Sequence, residues 1–336
     1  MSIPNPRLKQ KTMKNPRKRN KLKNPFKGGN NPPFFIMKKI IITLGDPYGI
    51  GPEVTFKALK KLKARSAAFT LIGDAEAFKK AGMLEGNISY INITSKYPAP
   101  QKTAPSKRGG EISFKAVEKG IALTEELKAD ALITAPISKE AWQAAGVKYM
   151  GHTEILRERA GNPGALMMFK SGRLCCGLVT EHYPVKDLGA AITKDRIKDA
   201  AKILAGQIEP GALIEISALN PHCGDGGKIG SEEIKTIIPA VRELQKEGVN
   251  AAGPYPVDAL WLRHINAKND AILMMYHDAA LLGLKLAAKK PVIHITAGLK
   301  FLRLSPAHGT AFDIAGQNEA DESSMLAAIE YALKRP

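Results

Sequence analysis

A chain of 336 residues with 44% hydrophobic content can bury the core of one or two α/β units. It holds no apolar run near the about 18 residues a transmembrane helix needs, no secretory signal, and only three cysteines, too few for a disulfide framework and without CxxC spacing, which fits a cytoplasmic protein. Its charge of +18 is unevenly placed, because residues 1–36 carry ten Lys or Arg and no acid, leaving +18 − 10 = +8 for the rest.

That leader, rich in Pro, Asn and Lys, predicts disorder. It reads as a nucleic-acid-binding tail, a transit peptide, or an extension upstream of the functional start. A transit peptide would be amphipathic and Ser-rich, and this segment is neither. Met37 opens MKKIIITLGD and is the favoured functional start.

KKIIITL (38–44) predicts a first strand, followed by the Gly-rich turn GDPYGIGPE (45–53) and a helix from Pro52, where proline suits the first turn. AFTLIG (68–73) predicts a second strand with a helix after Asp74, and 84–110 reads as a loop-rich stretch. ADALITAP (129–136) predicts a third strand, stopped by Pro136, with a helix capped near Ser138. His152 and Thr153 stand just before an amphipathic helix, whose exposed N–H groups favour an anion. Further strands are expected around 173–180, 212–219, 270–276 and 292–296, and helices near 193–206, 231–246, 256–265 and 321–334. Strands alternating with helices imply an α/β class with mostly parallel sheet.

Three of the seven histidines end apolar, strand-like runs: His182 after LCCGLVTE, His222 after ALIEISALNP and His277 after AILMMY. Strand ends are where open α/β sheets bind ligands, and neutral imidazole is the commonest protein metal ligand. Any one alone would read as an ordinary polar strand end; three together suggest a metal site assembled from distant parts of the chain. Cys175 and Cys176 read as small core residues, and Cys223 as a small filler beside His222. Lys285 lies eight residues after His277 and shares its face if the segment is a helix. A snorkelling lysine would look the same. In HITAGLKFLRLSPAHGTAFDIAG (294–316), Arg303 has the fork geometry of an oxyanion clamp, and the HGT turn (308–310) could approach a flat cofactor, although a surface loop with a buried Asp313 cap is the structural alternative.

Taken together, GDPYGIGPE, TAPISKEAW, GHTE, LNPHCGDGG with IGSEE, GPYPVD, MYHD and RLSPAHGTAFDIAG resemble the 4-hydroxythreonine-4-phosphate dehydrogenase (PdxA) family, over nearly everything from Met37 onward. GDPYGIGPEV and HGTAFDIAG also look like loops of the broader isocitrate/isopropylmalate dehydrogenase superfamily. The resemblance implies two α/β domains, one discontinuous (37–145 plus 290–336, NAD-associated) and one (146–289) for metal, substrate and dimerisation. It also implies a homodimer with the active site in a cleft between domains at the subunit interface. His182, His222 and His277 match the family's divalent-metal ligands (Zn, Mg or Co), with His277 supplied by the other subunit. His152, Thr153, Lys285 and Arg303 match its substrate-binding positions, with Lys285 and His152 as catalytic candidates. His308, Gly309, Thr310 and Asp313 fall in the loop expected to hold NAD, with NADP as the alternative.

The chain departs from the family at four places: His294 stands where Asn is usual, Ala279 and Ala280 follow MYHD, Tyr48 replaces Ala, and Ala307 replaces the Asp before HGT. The activity implied is oxidation of 4-phosphohydroxy-L-threonine to a 3-keto acid that decarboxylates to 3-amino-2-oxopropyl phosphate, in pyridoxal phosphate biosynthesis. A dehydrogenase of 4-phospho-threonate or 4-phospho-erythronate is the alternative that His294 keeps open. A metal hydrolase is a remote one, and nucleic-acid binding would rest on the leader alone.

Overall fold

The computed structural model describes residues 37–62, 67–159, 164–268 and 270–335; the expectations for the leader lie outside them. The first β-branched run forms β1 (Lys38–Thr43), whose neighbouring side chains face opposite sides, as a strand's period of two requires. Ile40 and Ile42 join one apolar cluster with α1 (Gly51–Lys61), while Ile41 joins a second cluster with Val117 and Trp142. The sheet is therefore covered on both faces, and its strands read as nearly continuous apolar runs.

Next come β2 (Ala67–Gly73) and α2 (Ala75–Ala81), which Asp74 caps by accepting from the N–H groups of Glu76 and Ala77. The stretch read as loop-rich contains a strand, β3 (Ile88–Asn92), at the sheet edge. Its half-exposed pattern left no apolar run to recognise. After α3 (Lys107–Glu126), β4 (Ala131–Thr134) is buried at every position, and Ser138 caps α4 (Lys139–Ala144).

The second half contains α5 (His152–Arg159), β5 (Leu166–Ser171), β6 (Leu174–Leu178), α6 (Leu188–Ala191), α7 (Lys194–Ala205) and β7 (Ile214–Ser217). A π-helical turn at Glu233–Ile237 leads into α8 (Ile238–Lys246), then β8 (Ala251–Tyr255), α9 (Val257–Ile265), β9 (Ala271–Met274) and α10 (His277–Ala287). The chain closes with β10 (Ile293–Ala297), β11 (Leu302–Pro306) and α11 (Ser323–Lys334). No strand is expected around Arg303, yet β11 runs there, and Arg303 is a buried strand residue.

One sheet orders the strands β3-β2-β1-β4-β11-β10-β5-β6-β9-β7-β8. Pairing is antiparallel only at β11–β10, β10–β5 and β5–β6. These three reversals make the parallel block β3-β2-β1-β4-β11 run opposite to the parallel block β6-β9-β7-β8. The mixed α/β architecture with a mostly parallel sheet is as expected. The boundary expected between the two domains falls where β5 and β10 pair, so the sheet runs across it unbroken.

Candidate active site

A cleft of about 870 Å³ opens where the two blocks meet. It gathers His152, Thr153, His182, His277, Lys285, His294, Arg303, His308 and Gly309 from six separate elements and loops. Thr310, Asp313 and His222 do not line it.

The three strand-ending histidines follow three adjacent parallel strands, β6, β9 and β7. β6 pairs with β9 in register, Leu178 opposite Met274, so the residues just beyond each strand end emerge side by side. This brings the His182 and His277 rings to 5.2 Å between centroids within one chain. Strand register thus places His277 beside His182 within a single chain. Burial, then the neighbouring His277 and Lys139, lower the His182 pKa, which keeps its imidazole neutral and able to ligate. The His277 Nδ1 lies 2.8 Å from Asp278 Oδ1, a contact that leaves Nε2 as the open nitrogen.

His222 is the ligand candidate that stands apart. It is exposed, and among the described residues no group of three His, Cys, Asp or Glu side chains is placed to hold a metal. It begins an unusual turn: His222, Cys223, Gly224, Asp225 and Gly226 all have positive φ (51°, 56°, 76°, 44° and 66°). Three are not glycine, at a cost of roughly 1–2 kcal/mol each. Such strain persists only where surrounding contacts hold it, and it concentrates at functional sites.

On the opposite wall, Arg303 is 1% exposed and forms no salt bridge with any described residue. Its Nη2 donates to Thr134 Oγ1 (2.6 Å) and its Nη1 to Thr296 Oγ1 (3.0 Å), while Nε has no partner. Burial lowers its pKa to about 9, so it remains a cation at neutral pH with no carboxylate beside it. His294 lies flat on Phe169 (4.9 Å, 25° between planes), with Nδ1 3.2 Å from Arg303 Nη1 and 3.3 Å from Ser305 Oγ. A guanidinium can only donate. Nδ1 therefore accepts and the proton resides on Nε2, which is buried without a partner. His152, packed edge-on to Trp142, also has an unpartnered Nε2. Burial first, and then the Arg303 charge, hold both imidazoles well below their usual pKa and therefore neutral. The wall is rich in donors and suits an oxyanion.

The two Gly-rich loops meet at the rim. Ile50 N donates to Thr310 O (2.9 Å), and a side chain at Gly49 would fall 2.8 Å from that same oxygen, so only glycine lets the loops touch. Gly309 faces open space and His308 Nε2 is buried without a partner, leaving room and a polar atom for a ligand. Beneath them, Asp46 is fully buried; its Oδ1 accepts from Tyr48 N (3.0 Å) and its Oδ2 has no partner.

Several cleft residues escaped sequence reasoning. Thr134 and Lys139 lie inside TAPISKEAW, a motif given no residue roles, and Arg157 grips Glu181 beside His182 (2.6 and 3.3 Å). Arg196 reaches the cleft from α7. Only Thr134 and Lys139 carried a signal, their place at the end of a strand and at the start of the helix that follows it.

The model of the pyridoxal phosphate biosynthetic protein PdxA matches residues 41–332. The chain belongs to the PdxA family. A 4-hydroxythreonine-4-phosphate dehydrogenase of Sulfurihydrogenibium sp. (strain YO3AOP1) is 37% identical over 317 residues, covering 88% of this chain and 98% of that protein. A Symbiobacterium thermophilum relative bearing the provisional name D-threonate 4-phosphate dehydrogenase is 35% identical over 318 residues, 87% and 95% of the two chains. The crystal structure of 4-hydroxythreonine-4-phosphate dehydrogenase from Klebsiella pneumoniae superposes with a TM-score of 0.77 at 29% identity, covering 88% and 97%.

Against the PdxA pattern, the departures fall in different places. Ala279 and Ala280 are buried away from the cleft, and the Ala279 carbonyl accepts from Trp261 Nε1 (2.8 Å). Tyr48 stands beside Arg108, whose charge counters the effect of burial on the phenol. His294 and Ala307 line the cleft itself.

Proposed function

We propose that this PdxA-family chain is an NAD-dependent, divalent-metal-dependent dehydrogenase that oxidises 4-phosphohydroxy-L-threonine to a 3-keto acid, which decarboxylates to 3-amino-2-oxopropyl phosphate. The carrying observation is the cleft that faces the His182–His277 pair with the buried Arg303 donor wall. Metal chemistry fits two adjacent imidazoles, one held neutral, with His222 as third ligand from a second copy of the chain. Exposed Leu282, Leu286, Leu262 and Ile265 on α9 and α10, with Ile229 and Ile234 near His222, supply apolar surface for a homodimer. His308, Gly309, Thr310 and Asp313 would hold the dinucleotide, and the 37–145 plus 290–336 segments would form its domain.

When bound, the metal would polarise the secondary hydroxyl and the nicotinamide would take up hydride. Arg303, the Nε2–H of His294, His152 and Thr153 bind the oxyanion end of the substrate and fix its direction. Lys285, two turns along α10 from His277 on the same cleft-facing side, exchanges the proton of the reacting hydroxyl. The enzyme reading carries a cytoplasmic location, and no helix among the described residues is long and apolar enough to cross a membrane.

A related reading, oxidation of 4-phospho-threonate or 4-phospho-erythronate, is favoured by one feature. His294 Nε2–H can donate to a hydroxyl but cannot accept from an ammonium. Dinucleotide reduction measured with the amino-acid phosphate and the hydroxy-acid phosphates tests both. Turnover of the first is expected; turnover of only the hydroxy acids would shift the assignment, and turnover of none would overturn it.

A further inference from the structure

We propose that Glu233 is a positioning residue for His222, its carboxylate holding the left-handed turn that presents this imidazole to a second copy of the chain. The inference rests on the ligand set proposed above. Glu233 is 1% exposed, yet it forms no salt bridge with any described residue. Its Oε1 instead accepts from the backbone N–H groups of Leu219 (2.9 Å) and Asn220 (2.8 Å), and its Oε2 accepts from Asn220 Nδ2 (3.0 Å). Asn220 Nδ2 also donates to Glu232 Oε2 (2.7 Å), which receives Ser231 N (2.9 Å) as well. The residues leading out of β7 are thus clamped to the turn that precedes α8.

Two glycines show how closely the clamp is built. A Cβ at Gly224 would lie 2.7 Å from Glu233 Oε2, and one at Gly230 would lie 2.3 Å from Asn220 Nδ2. Glu233 also opens the π-helical turn Glu233–Ile237, a local distortion frequent at functional sites. A buried carboxylate accepting several N–H bonds stabilises the loop more than neutral partners would. What it holds is Leu219 and Asn220, just ahead of the run of positive φ that begins at His222, a residue that does not line the cleft of its own chain. Metal ligands are commonly oriented by such outer contacts, whose loss costs about 10- to 100-fold in metal affinity.

The test measures Zn(II) affinity of the full-length protein by chelator competition, alongside thermal unfolding. Glu233→Gln keeps the shape but turns one acceptor oxygen into a donor. It should weaken Zn(II) binding by about 10- to 100-fold, with a fall of a few degrees in unfolding temperature from the N–H groups left without an acceptor. In a His222→Ala background the same substitution should change the affinity by less than about twofold. Wild-type affinity in Glu233→Gln, or an equal loss in the His222→Ala background, would overturn the role. Should Glu233→Gln fail to fold, Gly224→Ala, which displaces the carboxylate, must show the same loss and the same dependence on His222. Unchanged affinity in His222→Ala alone would instead sink the ligand assignment itself, a separate result from a failure of Glu233.

Discussion

The rings of His182 and His277 lie 5.2 Å apart in a single protomer, each just beyond the end of one of two paired parallel strands. His222, beyond the neighbouring β7, is turned out of that cleft. A shared metal site would then take His182 and His277 from one subunit and His222 from the other.

Subunit mixing separates this arrangement from the alternatives. A mixture of inactive His182→Ala and His222→Ala proteins should regain activity, because one site of each mixed dimer keeps all three ligands. His182→Ala mixed with His277→Ala should stay inactive, since each site loses one ligand. Recovery in the second mixture and not in the first would show that His277 crosses the interface. Each single variant should also lose bound metal while keeping its far-ultraviolet circular dichroism.

Arg303 is buried without an acid, so the binding role proposed for it would work against stability. Replacing such a group by an apolar residue of similar size is often neutral or stabilising. Arg303→Met should raise KM at least about tenfold, a loss of about 1.4 kcal/mol or more, without lowering Tm. A variant that unfolds several degrees earlier while retaining its KM would show that the guanidinium serves the fold instead.

Asp46 gives a pH dependence with a definite sign. Burial raises its pKa from 3.8 to about 6. The native state therefore holds this proton more tightly than the unfolded chain. The stabilisation is complete below about pH 4 and is lost as pH rises through about 6. Asp46→Asn should flatten that part of the stability curve and add on the order of 1–3 kcal/mol at pH 7. Denaturant titrations between about pH 4 and pH 7 measure it, and an unchanged slope would refute the assignment.

The contact between Gly49 and Thr310 predicts a binding defect. A methyl group at Gly49 would press on the Thr310 carbonyl and separate the two loops. Overpacking of this kind costs about 1–3 kcal/mol, so Gly49→Ala should weaken NAD binding about tenfold in a fluorescence titration. Native affinity would show that the HGT loop does not depend on the GDPYGIGPE turn.

Much of this protein is written locally. The buried run of β1, the caps Asp74 and Ser138, and Pro52 near the start of α1 are each readable because a strand's alternation and a helix's capping needs extend over only a few residues. Long motifs likewise marked the family and most cleft residues. Edge strand β3 was missed because its half-exposed side chains carry no apolar run, and β11 because its brief length lay between turn-forming residues.

The α/β class, the candidate donors and the order in which they occur are legible along the chain. Which donors meet follows from how the strands pair in three dimensions. Strand register joins His182 to His277, His222 opens a run of positive φ outside the cleft, and Arg303, still a cation despite burial, is held by threonine hydroxyls and flanked by His294. Those outcomes depend on pairings between segments far apart in the chain, which composition and periodicity do not encode.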